Sequence, residues 1–200
     1  MILSNENEPC IDLEWFGLKR EDSDVREKYR NWLNDPLITD SLASPDLNKA
    51  NKNQDFIEES FNRFTQVNCI GFFIRYIPDN IYIGTAKVDN ISFHNKSAWD
   101  GIMIGDRSYH GRGLASIVYK LLLAYAFSEL NLLRISGGCN SNNIPMIKTF
   151  KRLGYMQEGR LRNADLINDK YSDHLYFGIL KNEFFAKNKV NLIVNKEKKS

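Results

Sequence analysis

The chain has 200 residues, 42% hydrophobic and 26% charged, with a formal net charge of +2. That is enough chain for one domain with its own core, no run approaches the ~20 apolar residues that span a bilayer, and the charge balance gives no reason to invoke nucleic acid. The polar, acidic start at Met1–Glu8 does not read as a secretory signal, and three widely spaced cysteines (Cys10, Cys69, Cys139) argue against a disulfide framework or a zinc ribbon. The expectation is a soluble, cytoplasmic single domain over residues 1–200, with its core at about 11–185 and a flexible basic tail at 187–200.

Taken in chain order, Ile11 to Leu18 reads as a first strand. Asp22, Ser23 or Asp24 caps a helix to about Leu33, ended by Asn34-Asp35-Pro36. A second helix spans roughly Lys49 to Phe64, with Phe56, Ile57, Ser60, Phe61 and Phe64 at helical spacing. Cys69–Ile77, Ile81–Phe93 and Ala98–Gly105 follow as an antiparallel meander, with turns at Pro78-Asp79-Asn80 and His94-Asn95-Lys96. Leu114, Ile117, Val118, Leu121, Leu122 and Tyr125 then mark a long helix ending near Glu129. Leu132–Gly137 is a short strand. Ile144–Leu153 is a helix opened by Asn143, with Pro145 in its first turn and Gly154 at its end. Tyr155–Leu161 and His174–Leu180 are two last strands around an Asn168-Asp169 turn. The order predicts an α/β fold: a mixed, mostly antiparallel sheet with helices on both faces.

The informative stretch joins the strand Asp100-Gly-Ile-Met-Ile-Gly105 to Tyr109-His110-Gly111-Arg112-Gly113-Leu114-Ala115 and runs into the long helix. Glycines at 111 and 113 permit backbone conformations other residues resist and let the chain approach a ligand closely. A helix start leaves amides unpaired at the positive end of the macrodipole, so a diphosphate fits residues 111–116. Charge distribution agrees. Residues 107–152 carry seven basic side chains (Arg107, Arg112, Lys120, Arg134, Lys148, Lys151, Arg152) against Glu129 alone, whereas residues 1–60 carry 14 acidic and 7 basic ones.

The run His110-x-x-Gly113-x-Ala115 resembles the coenzyme-A loop of the GCN5-related N-acetyltransferases, with His110 where Gln or Arg is usual. Asn143 and the helix to Phe150-Lys-Arg-Leu-Gly-Tyr155 resemble that family's Asn-containing element. Glu158-Gly159-Arg160-Leu161-Arg162, Asn168–Asp173 and Trp32-Leu33-Asn34-Asp35-Pro36 resemble the branch of ribosomal-protein alanine acetyltransferases. Ile91–Trp99 resembles acetyltransferases of nucleotide-linked amino sugars. The resemblance implies a fold whose fourth and fifth strands splay apart, and acetyl-CoA as co-substrate without a metal. Pantetheine would lie along Ile102, Met103 and Ile104, the diphosphate would sit on His110, Gly111, Arg112, Gly113, Leu114, Ala115 and Ser116, and Asn143 and Phe150 would close the other wall. Arg112, Lys148 and Lys151 would meet the outer phosphates.

Attack of a neutral amine on a thioester needs a base and oxyanion donors. The amides near Met103 and Ile104 are the expected donors. Asp100, Asp165 and Glu158 are the candidate bases. His94 and His110 read as structural or phosphate-facing, and His174 as facing its strand neighbours. Many members place a tyrosine acid where this chain has Phe150, and Met146 replaces a frequent serine. Trp32, Asp35, Tyr82 and Trp99 are the candidate acceptor contacts. A lysine amine near pKa ~10.4 is almost wholly charged at neutral pH and an α-amine near ~8 is not. The expected acceptor is therefore the primary amine of a small molecule, an amino sugar, or a protein N-terminus, bound by a monomer or homodimer. The competing readings are a coenzyme-A-binding module with little catalysis and a nucleotide-phosphate site in an unrelated α/β protein. The latter is disfavoured by the missing Gly-x-x-x-x-Gly-Lys-Ser/Thr run.

Overall fold

The computed structural model describes residues 1–42, 53–167 and 169–196. In chain order they form β1 (Ile2–Asn5), β2 (Ile11–Trp15), a 3-10 turn (Phe16–Lys19), α1 (Ser23–Leu33), α2 (Pro36–Thr39) and a second 3-10 turn (Asp40–Leu42). Next come α3 (Gln54–Arg63), β3 (Thr65–Gln66), β4 (Cys69–Tyr76), β5 (Ile81–Ser92), β6 (Ser97–Ile104), α4 (Leu114–Ser128) and β7 (Arg134–Asn140). The chain closes with α5 (Ile144–Leu153), β8 (Met156–Ile167), β9 (Lys170–Leu180), α6 (Lys181–Lys187) and β10 (Leu192–Asn195). The strands form one sheet in the order β10-β1-β2-β4-β5-β6-β7-β9-β8, with β3 on β4. Every pairing is antiparallel except β6 with β7.

Helices cover both faces, each over its own core. On one face α4 is apolar nearly all round, so it runs through the molecule's centre. It buries Leu114, Val118, Tyr119 and residues 121–127 against Phe72, Val88, Ile135, Phe150 and Phe177. On the other face α1 and α3 close over an aromatic cluster in which Phe16 stacks on Phe73 at 4.0 Å, with Tyr29, Trp32, Phe61 and Met103 around it. Caps fix the helix starts: Asp22 accepts from the Val25 amide (3.1 Å) and Asn143 from the Met146 amide (3.1 Å), contacts worth about 1 kcal/mol each.

Several elements differ from the sequence reading. The first strand stops at Trp15, because Phe16 turns into the aromatic cluster. The expected start of the second helix, residues 49–52, lies outside the described residues, and the helix begins at Gln54 behind the Asn53 cap. The stretch read as a basic tail contributes β10, which pairs with β1 while Val190, Leu192 and Val194 pack on the core. Both strands lie beyond the expected 11–185 core. The last hairpin is much longer than its apolar pattern, because polar bonds hold it: Arg160 to Asp173, and the Asn163 amide to Asp173 at 2.9 Å.

Candidate active site

β6 and β7 pair only at Ser97–Trp99 with Arg134–Ser136. Beyond Trp99 they part: β6 stays with β5, and β7 continues with β9 to Asn140. Main-chain direction along β6 follows from strand alternation. The Gly105 amide donates back to Ile83 (2.8 Å), while the Lys96 carbonyl accepts from Leu133 (2.7 Å) and Arg134 (3.2 Å) on the β7 side. Even-numbered residues therefore turn their polar groups towards the gap, and Ile102 and Ile104 present them unpaired by β7. Met103 faces Thr85 of β5 instead. Of the two amides expected as oxyanion donors, the Met103 amide is turned away from the gap and the Ile104 amide opens onto it. His110 Nε2 lies 2.8 Å from the Ile104 carbonyl, tying the loop to the strand end.

The loop then delivers a bare helix start. Gly111 and Gly113 have φ of +75° and +76°, and a Cβ built on either meets nothing within 4 Å; what selects glycine is the backbone conformation. Gly113 caps α4 with no side-chain acceptor, so the Leu114 and Ala115 amides are offered to a ligand, while the Ser116 amide donates to the Gly113 carbonyl at 3.1 Å. Arg112 lies 4.5 Å above the Tyr109 ring, and Tyr109 donates to Asp79. Arg107, Arg112, Lys148, Lys151 and Arg152 have no ion-pair partner among the described residues, whereas Lys120 pairs with Glu8 and Arg134 with Glu158. Ala115 and Ser116 continue the first turn. Asn143 uses its carbonyl to cap α5 on the far wall of the gap. These features suit an anionic, extended ligand with its phosphates at the helix mouth.

Where the two strands part, Asp100 lies on the face covered by α4 and α5. It accepts hydrogen bonds from Tyr119 (3.3 Å) and Tyr155. Burial pushes its carboxyl up to about 7, against the pull of the two phenols and the more distant Lys87. Gly137 makes room for it: a Cβ there would lie 2.7 Å from Asp100 Oδ1 and 2.9 Å from Phe150 Cζ. Phe150 is 1% exposed, stacked on Phe177 at 4.8 Å.

The opposite face is more open. Trp99, 38% exposed, meets Tyr176 edge-on at 5.7 Å, and Tyr176 meets His174 at 4.9 Å. His174 Nδ1 lies 2.9 Å from Asp165, which also accepts from Asn140 (3.2 Å). Trp32 packs over Gly105, and the Asp40–Leu42 turn comes alongside β7. Tyr82 is engaged deeper, donating to buried Glu14 at 2.7 Å. Asp35 caps α2 through the Leu37 amide (2.9 Å). Glu158 binds Arg134, which holds its carboxyl below the usual carboxylate range. The structure thus brings Asp165 together with Trp99 through Tyr176 and His174. It separates Asp100 from both other carboxylates by the sheet and gives Asp35 and Glu158 structural partners. Sequence reasoning passed over Tyr119, Gly137 and Tyr176; the alternation of His174 and Tyr176 along β9 was the available signal for the last.

A sheet opened at one parallel pair, with a glycine-capped helix start at its mouth, is the architecture of an acyltransferase built to hold a phosphate-bearing acyl carrier. The family model of the acetyltransferase (GNAT) domain matches residues 18–156, and the chain belongs to this family. The uncharacterized N-acetyltransferase p20 of Bacillus licheniformis is 29% identical over 167 residues, 84% of this chain and 92% of that protein. The spermidine N(1)-acetyltransferase of Escherichia coli (strain K12) is 31% identical over 81 residues, 40% of this chain and 44% of that protein. In fold, the spermidine N-acetyltransferase of Vibrio cholerae in complex with CoA and spermine superposes with a TM-score of 0.76 at 22% identity, covering 88% of this chain and 98% of that one. The protein is an N-acetyltransferase that uses acetyl-CoA. No described helix is long and apolar enough to cross a membrane.

Proposed function

We propose that the chain acetylates a primary amine of a small polycationic molecule of the polyamine class. Acetyl-CoA would lie in the β6–β7 gap, its diphosphate on residues 111–116 and its pantetheine bonded to Ile102 and Ile104. From Ile104 to Asp100 the strand runs about 13 Å at ~3.3 Å per residue, which brings the thioester to the point where the strands part. The Ile102 amide, which also opens onto the gap and lies nearer that point than Ile104, is suited to hold the developing oxyanion. The amine would enter from the open face, past Trp32 and the Asp40–Leu42 turn to Trp99. The observation that carries this reading is the difference between the two sides: Arg107 and Arg112, without an ion-pair partner among the described residues, flank the glycine-capped helix start, whereas the open face carries Asp165 beside Tyr176 and His174.

The aromatic pair Trp99 and Tyr176 favours a second reading, a flatter acceptor such as an amino sugar or the terminal residue of a protein. One experiment separates the two. Thiol release from acetyl-CoA is followed with spermidine, spermine, amino sugars and N-terminal peptides. Fastest turnover on the linear polyamines is expected. Preference for amino sugars or peptides gives the second reading. Tight acetyl-CoA binding with no turnover on any amine leaves only a coenzyme-A-binding module.

A further inference from the structure

We infer that His174, oriented by Asp165, is the general base that takes the amine proton. The inference rests on the acetyl-transfer reading above and goes beyond it by assigning the base to an imidazole instead of a carboxylate. Both oxygens of Asp165 lie within hydrogen-bond distance of His174 Nδ1, at 2.9 and 3.2 Å. A carboxylate can only accept, so this contact places the ring proton on Nδ1 and leaves the Nε2 lone pair free to accept. Asp165 is itself fixed by the Asn140 amide at 3.2 Å, and Asn140 is anchored by accepting from the Asn142 amide (2.8 Å). The imidazole therefore has one orientation.

That orientation aims Nε2 back towards the reacting end of the gap. His174 sits opposite Asn140 in the β7–β9 register, yet its Nε2 reaches Gly138, where a Cβ would lie only 2.5 Å from it. Gly138 is two residues from Ser136, the partner of Trp99 where the strands part. A side chain at position 138 would cover Nε2. The His174 side chain keeps 19% of its surface exposed, and it shares the open face with Trp99 and Tyr176, the side from which an amine can approach. Asp100 lies across the sheet with both oxygens engaged by tyrosine hydroxyls.

The step balances without another reagent. The neutral amine nitrogen attacks the acetyl carbonyl carbon, the C–N bond forms and the carbonyl π pair moves onto oxygen. His174 Nε2 takes a proton from the nitrogen. The oxyanion collapses, the C–S bond breaks with its electron pair on sulfur, the imidazolium gives its proton to solvent and the thiolate takes one from solvent, so amine and thioester give amide and thiol and His174 is neutral again. Asp165 is a positioning residue that holds the ring proton on Nδ1.

The test compares His174→Gln, His174→Ala, Asp165→Asn and Asp100→Asn in the full chain on the best amine of the panel. Acetyl-CoA affinity by calorimetry shows that each variant is folded. For both His174 variants kcat should fall about 100-fold, the scale of a lost general base, with KM for acetyl-CoA within about twofold. Added imidazole should restore His174→Ala at least about tenfold and leave His174→Gln unchanged. Asp165→Asn should fall less, about tenfold. Wild-type kcat in His174→Gln, or a loss in His174→Ala that imidazole does not relieve, overturns the assignment. Loss of kcat in Asp100→Asn alone moves the base to Asp100. A wild-type protein that releases no thiol with any amine removes the functional reading before the variants are compared.

Discussion

On the helix-covered side of the gap, Asp100 is held by Tyr119 and Tyr155 beneath α4 and α5, with Phe150 packed alongside. On the open side, Asp165 meets an imidazole and an amide, and His174 and Tyr176 stand between it and the exposed Trp99. Asp100 lies where β6 and β7 part and Asp165 lies by Asn140, four residues farther along β7, and packing divides their circumstances. The covered one is desolvated with only phenols for company, so its charged form is disfavoured. The open one has a partner that gains from its charge. A sheet that opens at one parallel pair can thus offer a reaction two different carboxylates from opposite faces.

The covered side is where substitution should do most harm. Gly137→Ala would place a methyl 2.7 Å from Asp100 Oδ1 and 2.9 Å from the Phe150 ring. Neither neighbour has room to retreat, so a loss of about 3 kcal/mol in urea unfolding is expected, with acetyl-CoA affinity falling alongside. Stability equal to wild type would mean that this side is looser than its contacts indicate. Asp100 supplies the next effect. Its folded carboxyl lies at about 7, above the ordinary value of 3.8, so the folded state binds its proton more tightly. The stabilising contribution is complete below the ordinary value and is lost as pH rises to about 7. At about 1.4 kcal/mol per unit, urea unfolding should show about 3 kcal/mol less stability at pH 8 than at pH 5 from this group. Asp100→Asn should flatten that difference.

Legibility in the sequence followed the same division. The covered side is built from apolar periodicity and glycine punctuation. There the long helix from Leu114, the β6 strand and the Gly111–Gly113 loop could all be read, with boundaries close to those observed. The open side depends on polar pairing between distant positions. Asp165, Asn140, Ser172 and His174 come from three strands, and no local pattern announces their meeting. The β8–β9 hairpin outruns its apolar pattern because its outer half is held by Arg160, Asn163 and Asp173, and β10 has no local signature because its partner β1 lies at the other end of the chain. Asp100 could be named as a candidate, but its enclosure by Tyr119, Tyr155 and Gly137 is purely tertiary.

Phe150→Tyr sharpens the comparison with a smaller effect. The added hydroxyl would extend from Cζ, which shares the space at Gly137 with Asp100 Oδ1. Crowding should lower stability by about 1 kcal/mol. A phenol beside Asp100 should also alter the pH–rate profile of thiol release, because it places a third hydroxyl in reach of the carboxyl. A profile unchanged from wild type would put position 150 outside the surroundings of the leaving thiol.

Trp99→Ala should have the mildest structural consequence and the most selective functional one. Trp99 is 38% exposed and touches Tyr176 edge-on at 5.7 Å, so its removal leaves an open surface instead of a buried cavity. Surface changes of this kind usually stay within about 0.5 kcal/mol, and thermal unfolding should barely move. Position 99 is nevertheless the last paired residue of β6 before the gap, on the side from which the amine is proposed to approach. Its loss should raise KM for the amine several-fold and leave KM for acetyl-CoA unchanged, since the cofactor's contacts lie along Ile102, Ile104 and the helix mouth. If both constants rose together, the two sides of the gap would not be separate binding surfaces, and the amine would have to enter through the mouth that admits acetyl-CoA.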